Sequence, residues 1–163
     1  MVVKIVIHDI PTPADEDGAY ADVERRYLQH CLNNNIPALV LVIGGQIGGR
    51  SDLINLLKEG INRGLFVIAN HGDEHSHTAW KPTDMTWEQQ KTYIQNGQSK
   101  IESALGVSPK IFVPPYYECN ADTFHACSDL GLKVHTASAV GYGAAEPYLD
   151  AMGMIDVYTF VSN

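Results

Sequence analysis

One carboxylate and three imidazoles stand past apolar runs of this chain. One run, Val2-Val3-Lys4-Ile5-Val6-Ile7, leads into His8-Asp9; another, Leu65-Phe66-Val67-Ile68-Ala69, leads into Asn70-His71-Gly72-Asp73-Glu74-His75. One carboxylate and two imidazoles form a ligand set for a divalent cation. Three protein ligands leave a position open for water, as a hydrolytic metal centre requires. His71 and His75 are four residues apart, so on one helical turn or a tight loop their rings can point the same way. Imidazole nitrogen suits zinc, cobalt, nickel or iron, and an added carboxylate oxygen remains compatible with all four. Against this stands a plainer reading: two surface histidines on a polar turn beside Asp73, Glu74 and His77, with Asp9 as a helix cap or loop ion-pair partner. A carboxylate just beyond Val6-Ile7-His8 is costly to bury without a partner or a metal, which favours the ligand reading. His8 is open to three readings: an orienter of the ligands, a general base with an ordinary pKa near ~6.5, or a core-edge imidazole.

These residues can meet only if the chain brings distant strand ends together. Strands are expected over residues 2–7, 37–43, 65–69, 110–113 and 132–137, with a further one over 155–161. Helices are expected over 20–33, after a Ser51 N-cap, over 87–105 and after Asn120 or Asp122. Thr86 and Gln89 have capping-box spacing, Gly106 fits the C-cap of that helix, and Gly131 closes the last one. Residues 11–18, rich in Pro, Asp and Glu, read as a loop. The strand–helix alternation gives an α/β fold with parallel strands and helical crossovers. In such sheets ligands gather at the carboxyl ends of the strands, so Asp9, His71 and the Pro114-Pro115-Tyr116 turn should share one rim.

Composition narrows the partners. The 163 residues suit a single domain, and 45% hydrophobic with 18% charged residues suits an ordinary globule. Eleven basic against nineteen acidic residues give a charge of −8, which disfavours nucleic acid and anionic membranes and fits a neutral or cationic substrate better. Cys31, Cys119 and Cys127 form no disulfide framework. No apolar stretch approaches the ~20 residues that span a bilayer, and the N-terminus lacks signal-peptide character. Cellular location and oligomeric state are open. No Gly-Lys-Ser/Thr follows the paired glycines at 44–45 and 48–49, so they open no phosphate loop, and no Ser or Cys sits in a nucleophile elbow. Trp80 and Trp87, after the histidine motif, read as core or rim packing, or as faces on which a sugar stacks. Tyr116 and Tyr117 are candidates for a cleft wall.

The chain resembles the polysaccharide deacetylase superfamily, whose members are metal-dependent hydrolases that remove N-acetyl groups from sugars. The resemblance runs from residue 4 to about residue 138. It is carried by Ile5-Val6-Ile7-His8-Asp9-Ile10-Pro11, Asn35-Ile36-Pro37-Ala38, Val42-Ile43-Gly44, and Arg63-Gly64-Leu65-Phe66-Val67-Ile68-Ala69-Asn70-His71. It continues through Gly106-Val107-Ser108-Pro109-Lys110-Ile111-Phe112-Val113-Pro114-Pro115-Tyr116 and Asp129-Leu130-Gly131-Leu132-Lys133-Val134. It implies a distorted (β/α) barrel of parallel strands with outer helices. It places the metal ligands on Asp9, His71 and His75, the ion being zinc first, with cobalt, nickel or iron as alternatives. It puts an oxyanion donor on the Tyr116 backbone N–H, and Pro115, Tyr117 and Trp80 are expected along a carbohydrate-binding cleft.

Three departures accompany the resemblance. His8 stands where the family has an Asp base, as in an uncharacterised His-Asp branch of the superfamily. Val113 stands where an Arg precedes Pro-Pro, so whatever orients the base is missing or supplied elsewhere. The closing Leu-x-His, whose His serves as general acid, has no counterpart in 155–163, and His135 is as readily a partly buried strand residue. The expectation is a single catalytic domain over 1–163, truncated at its C-terminus if the closing motif lies beyond Asn163. The expected activity is N-deacetylation of a sugar or polysaccharide. The alternatives are a catalytically impaired metal- or carbohydrate-binding module on the same fold, and a hydrolase of cyclic amides.

Overall fold

A computed structural model of the chain describes residues 5–11 and 21–135. Its five strands are β1 (Ile5–Ile10), β2 (Ala38–Val42), β3 (Phe66–Asn70), β4 (Ile111–Phe112) and β5 (Lys133–Val134). They form one sheet in the order β1-β2-β3-β4-β5, every pair parallel. The helices are α1 (Ala21–Asn34), the short α2 (Gly44–Ile47), α3 (Ser51–Asn62), α4 (Trp87–Leu105) and α5 (Ala121–Asp129). A sheet whose neighbours follow chain order winds in one direction, as an arc of a barrel does, rather than reversing as a doubly wound sheet does. The α/β class and parallel sheet expected from the sequence are therefore present. The strand over 155–161 and most of the loop over 11–18 lie outside the described residues.

Period-2 alternation sorts the strand side chains onto two faces. Ile7, Val40, Val42, Phe66 and Ile68 pack with Leu28, Leu53 and Leu57 from α1 and α3. Leu39, Leu41, Ala69, Ile111 and Val113 form a second cluster, joined by Val6, Val67 and Tyr117. His8 follows Val6, and His71 follows Val67 and Ala69, at this same two-residue spacing. Burying each Leu, Ile or Val of these layers is worth about 1.5–3 kcal/mol, so strand register is strongly fixed where the site is built. A third cluster joins Trp80, Tyr93, Ile94, Phe112 and Cys127, under α4 and α5.

Local signals set most helix ends. Thr86 and Gln89 make the reciprocal capping box, and Gly106 ends α4 at φ 74°. Asn120, rather than Asp122, caps α5, with Thr123 completing a second box. Ser51 is displaced from its expected role: it opens α3, while Arg50 holds the cap position without a side-chain cap bond. Arg50 instead pairs with Glu24 at 2.7 Å and Asp52 at 3.0 Å, tying α3 to α1. No helix among the described residues is long and apolar enough to cross a membrane.

Candidate metal centre

β1 continues past Ile7 because it contains a bulge. Ile7 pairs with Val40 and Ile10 with Val42, so β1 fits one more residue than β2 into the same span. The extra residue breaks the alternation that would send His8 and Asp9 to opposite faces. Asp9 takes it up in the left-handed region at φ 57°, a conformation that Asp tolerates better than most residues. The bulge thus turns the Asp9 carboxylate to the carboxyl-end rim.

The other two members of the cluster, His71 and His75, leave β3 on a braced turn. Asn70 is buried; its amide donates to the Ile94 carbonyl at 2.9 Å, and its oxygen accepts the Gly72 N–H at 2.8 Å. Gly72 turns at φ 90°, and its carbonyl accepts the Gly44 N–H at 2.8 Å. Gly97 of α4 lies against it: a Cβ there would sit 2.6 Å from the Gly72 oxygen. The Tyr93 hydroxyl donates to the Glu74 carbonyl and accepts the Glu74 N–H at 3.3 Å. Asn70, Tyr93 and Gly97 were not apparent in the sequence as parts of the site. A glycine at mid-helix, unfavourable by about 1 kcal/mol relative to Ala, was the one available signal.

Together these elements bring Asp9, His71 and His75 to one point. Asp9 Oδ1 lies 3.1 Å from His71 Nε2 and 3.3 Å from His75 Nε2, and the three ligand atoms are all within 4.8 Å of one another. Ligands about 2.1 Å from a tetrahedral ion are separated by about 3.4 Å, so two of the three spacings are already those of a coordinated set. Proton placement agrees. His71 Nδ1 is 2.7 Å from the Val113 carbonyl, which can only accept, so that nitrogen carries the hydrogen. In the neutral ring Nε2 then offers a lone pair to Asp9 Oδ1, itself an acceptor at 3.1 Å. Two acceptors that close call for a cation or a proton between them. A carbonyl holding the far nitrogen of a ligating imidazole is also the usual support of a metal site. The residues fit a divalent ion.

The electrostatics set the neighbours apart. Burial pushes the Asp9 carboxyl up, but the His71 hydrogen bond and the nearby His71, His75 and His8 rings outweigh it and hold the group below the ordinary carboxylate range. His8 is pulled down to about 4, first by burial and then by His71, with Asp9 opposing. This is well below the ordinary value expected from sequence, so the ring is neutral at neutral pH. His8 sits edge-on to His71, with ring centroids 6.2 Å apart, and its Nε2 is 3.0 Å from the Tyr117 hydroxyl. His135 is buried, and burial lowers its pKa. It stands near enough to influence His8, while its Nδ1 has no hydrogen-bond partner among the described residues.

The Pro115–Tyr117 turn closes the other side, with Tyr116 at φ 56° and Tyr117 at φ 57°. The Tyr116 ring lies 4.4 Å from that of His75 and stacks on His77 at 3.7 Å. Tyr117 N–H is engaged by the Pro114 carbonyl at 3.0 Å. Two residues expected along the cleft are enclosed. Trp80 is fully buried against Tyr93 and Phe112, with its indole N–H donated to the Glu118 carbonyl at 2.9 Å, and offers no face to a sugar. Pro115 is also buried, at the start of the turn. Trp87 stacks on His125 and lies beneath the Lys91 ammonium on the α4–α5 surface.

Parallel strands whose carboxyl ends gather an Asp-His-His cluster define an α/β protein with a candidate metal centre on its rim. The chain belongs to the polysaccharide deacetylase family, whose sequence model matches residues 16–135. His71 and His75 fall inside that segment, and Asp9 precedes it. A bifunctional xylanase/xylan deacetylase of Cellvibrio japonicus is 28% identical over a stretch covering 56% of this chain and 17% of that protein. Among solved structures, a family 4 carbohydrate esterase from Streptomyces lividans in complex with acetate superposes with a TM-score of 0.60 at 24% identity, covering 82% of this chain and 60% of that one. A family 4 pseudoenzyme from Bacillus anthracis gives 0.59 at 15% identity, covering 82% and 42%. At these identities the structural likeness is one of fold. The chain spans less than two thirds of each of these relatives.

Proposed function

We propose that the protein is a divalent-metal-dependent hydrolase that removes acetyl groups from the nitrogen of a sugar or polysaccharide. The observation that carries this reading is the convergence of Asp9, His71 and His75 within 4.8 Å, in a chain of the polysaccharide deacetylase family. Asp9, His71 and His75 would hold the ion, zinc being the first choice for two imidazoles and a carboxylate, with cobalt, nickel or iron also suited. When bound, such an ion supplies Lewis acidity towards the acetyl carbonyl and acidifies a water towards neutrality.

The protein's own groups do the rest. His8 accepts the proton released as water adds to the acetyl carbon. The Tyr116 backbone N–H donates to the developing oxyanion, a contribution of about 2.7–4 kcal/mol for such donors. Breaking the C–N bond expels the sugar amine, which takes up one proton, and the proton held by His8 meets that demand. Acetate and a free amine are the products. Tyr117 and the exposed edge of Tyr116 line the approach for a carbohydrate.

Acetate release from N-acetylated chitin and peptidoglycan fragments, with acetylated xylan as an ester control, tests the reading alongside elemental analysis. His75→Ala should lose bound metal and acetate release together. A metal-free variant with full activity would end the proposal.

A second reading keeps the site without turnover. Val113 in place of the Arg, and His8 in place of the Asp, favour a module that binds metal or sugar and hydrolyses neither amide nor ester. Tight binding of zinc and oligosaccharide, with no acetate released from any of the three substrates, would establish it.

A further inference from the structure

We propose that Tyr117 is the positioning residue for His8, its hydroxyl holding Nε2 and fixing the imidazole plane. The inference rests on the reading of His8 as the group that accepts the proton in deacetylation.

The geometry is specific. Tyr117 Oη lies 3.0 Å from His8 Nε2, and the two rings meet edge-on with centroids 5.7 Å apart and planes at 69°. The phenol ring packs on the cluster formed by Leu39, Leu41, Ala69, Ile111 and Val113, so a hydrophobic wall locates the hydroxyl. The backbone is committed to the same end. Tyr117 stays in the left-handed region at φ 57°, with its N–H bonded to the Pro114 carbonyl. A bulky residue does not occupy that region without compensation from its surroundings.

Two changes in the sequence then read as one. Val113 is fully buried, so no guanidinium approaches His8 from that position. A guanidinium suits a carboxylate base, because it stabilises a negative charge and can bind both oxygens. Beside an imidazole it would oppose the positive charge that the ring gains on accepting a proton. A phenol hydroxyl has no such conflict. It carries no charge, and it can donate to a bare ring nitrogen or accept from an imidazole N–H, so the contact can persist in the neutral and protonated ring alike. With His8 as the base, an uncharged Tyr117 hydroxyl is thus the chemically matched orienter.

The test uses the full chain in four forms: wild type, Tyr117→Phe, His8→Asn and the double variant. Histidine ring-nitrogen NMR on the metal-free proteins reads the tautomer, with His8→Asn identifying the His8 signals. The wild type should show His8 ring-nitrogen signals distinct from those of a solvated imidazole, and Tyr117→Phe should shift them towards the averaged signals of one. Unchanged His8 signals in Tyr117→Phe overturn the proposal. In the zinc-loaded proteins, Tyr117→Phe should lower kcat about tenfold, the scale of one lost hydrogen bond, with zinc content unchanged. In the His8→Asn background the same substitution should have no further effect. An equal fall in both backgrounds overturns the proposal, because Tyr117 would then act without His8. If the wild type releases no acetate, the deacetylase reading fails on its own, and the NMR result alone decides the Tyr117–His8 pairing.

Discussion

The turn after β3 and the turn after β4 face each other across the same rim, yet they are held by different means. The His71–His75 turn is braced through its backbone: Asn70 bonds Gly72, Tyr93 bonds both polar groups of Glu74, and Gly97 presses on the Gly72 carbonyl. The Pro115–Tyr117 turn holds two tyrosines at positive φ and reaches the rest of the rim through aromatic contacts and the Tyr117–His8 bond. On the proposed function the difference tracks what each side would do. Metal ligands would need a fixed spacing whatever the substrate, and the side of His8 and Val113, where proton handling is proposed, is supported by aromatic groups instead.

Breaking the braced side at its ligand should have the largest effect. His71→Ala removes one donor and also frees the Val113 carbonyl from its 2.7 Å partner. Zinc affinity should fall by more than ~100-fold, beyond the loss expected for changes in outer partners alone, as read by competition with a chelating dye. A smaller loss would mean that the ion sits elsewhere.

Trp80 joins the two sides, with its ring against Tyr93 and its N–H on Glu118 at the end of the β4 turn. Trp80→Ala should therefore cost about 3–5 kcal/mol in chemical denaturation, as a large buried aromatic does. If the variant kept its stability and lost only oligosaccharide affinity, Trp80 would be a sugar platform after all. Gly97→Ala probes the brace more gently. Its Cβ would lie 2.6 Å from the Gly72 oxygen, so overpacking should cost about 1–3 kcal/mol and weaken zinc binding with it. Unchanged zinc affinity would show that the His71–His75 spacing does not depend on α4.

What was legible in the sequence is what local chemistry decides. Thr86, Gln89 and Gly106 marked both ends of α4, because a capping box and a left-handed C-cap involve only near neighbours in the chain. His71 and His75 were legible as a pair, because four-residue spacing is itself local. The bulge was not: an alternating pattern reads the same with or without one extra residue, so β1 was expected to stop at Ile7 when it runs to Ile10. Trp80 follows the same logic, since nothing next to it in sequence reveals that Tyr93, Phe112 and Glu118 enclose it. Ser51 shows the limit of local signals: the Arg50 ion pair to Glu24 of α1 accompanies a helix start one residue away from the plain reading.

The smallest expected effect belongs to His135 and bears on the proton-handling side. Its ring is buried, burial disfavours its charged form, and its Nδ1 has no partner among the described residues. A buried imidazole with an unsatisfied nitrogen pays desolvation without a compensating bond. An apolar residue of similar bulk removes that penalty while keeping the packing, so His135→Leu should change stability by no more than about 1 kcal/mol. Zinc affinity should stay at the wild-type value, since His135 is not among the three clustered ligands. Calorimetric unfolding with zinc titration on one preparation checks both. A loss above ~2 kcal/mol would show that Nδ1 has a partner, as buried polar groups usually do, and the proton-handling side would then be braced as firmly as the ligand turn.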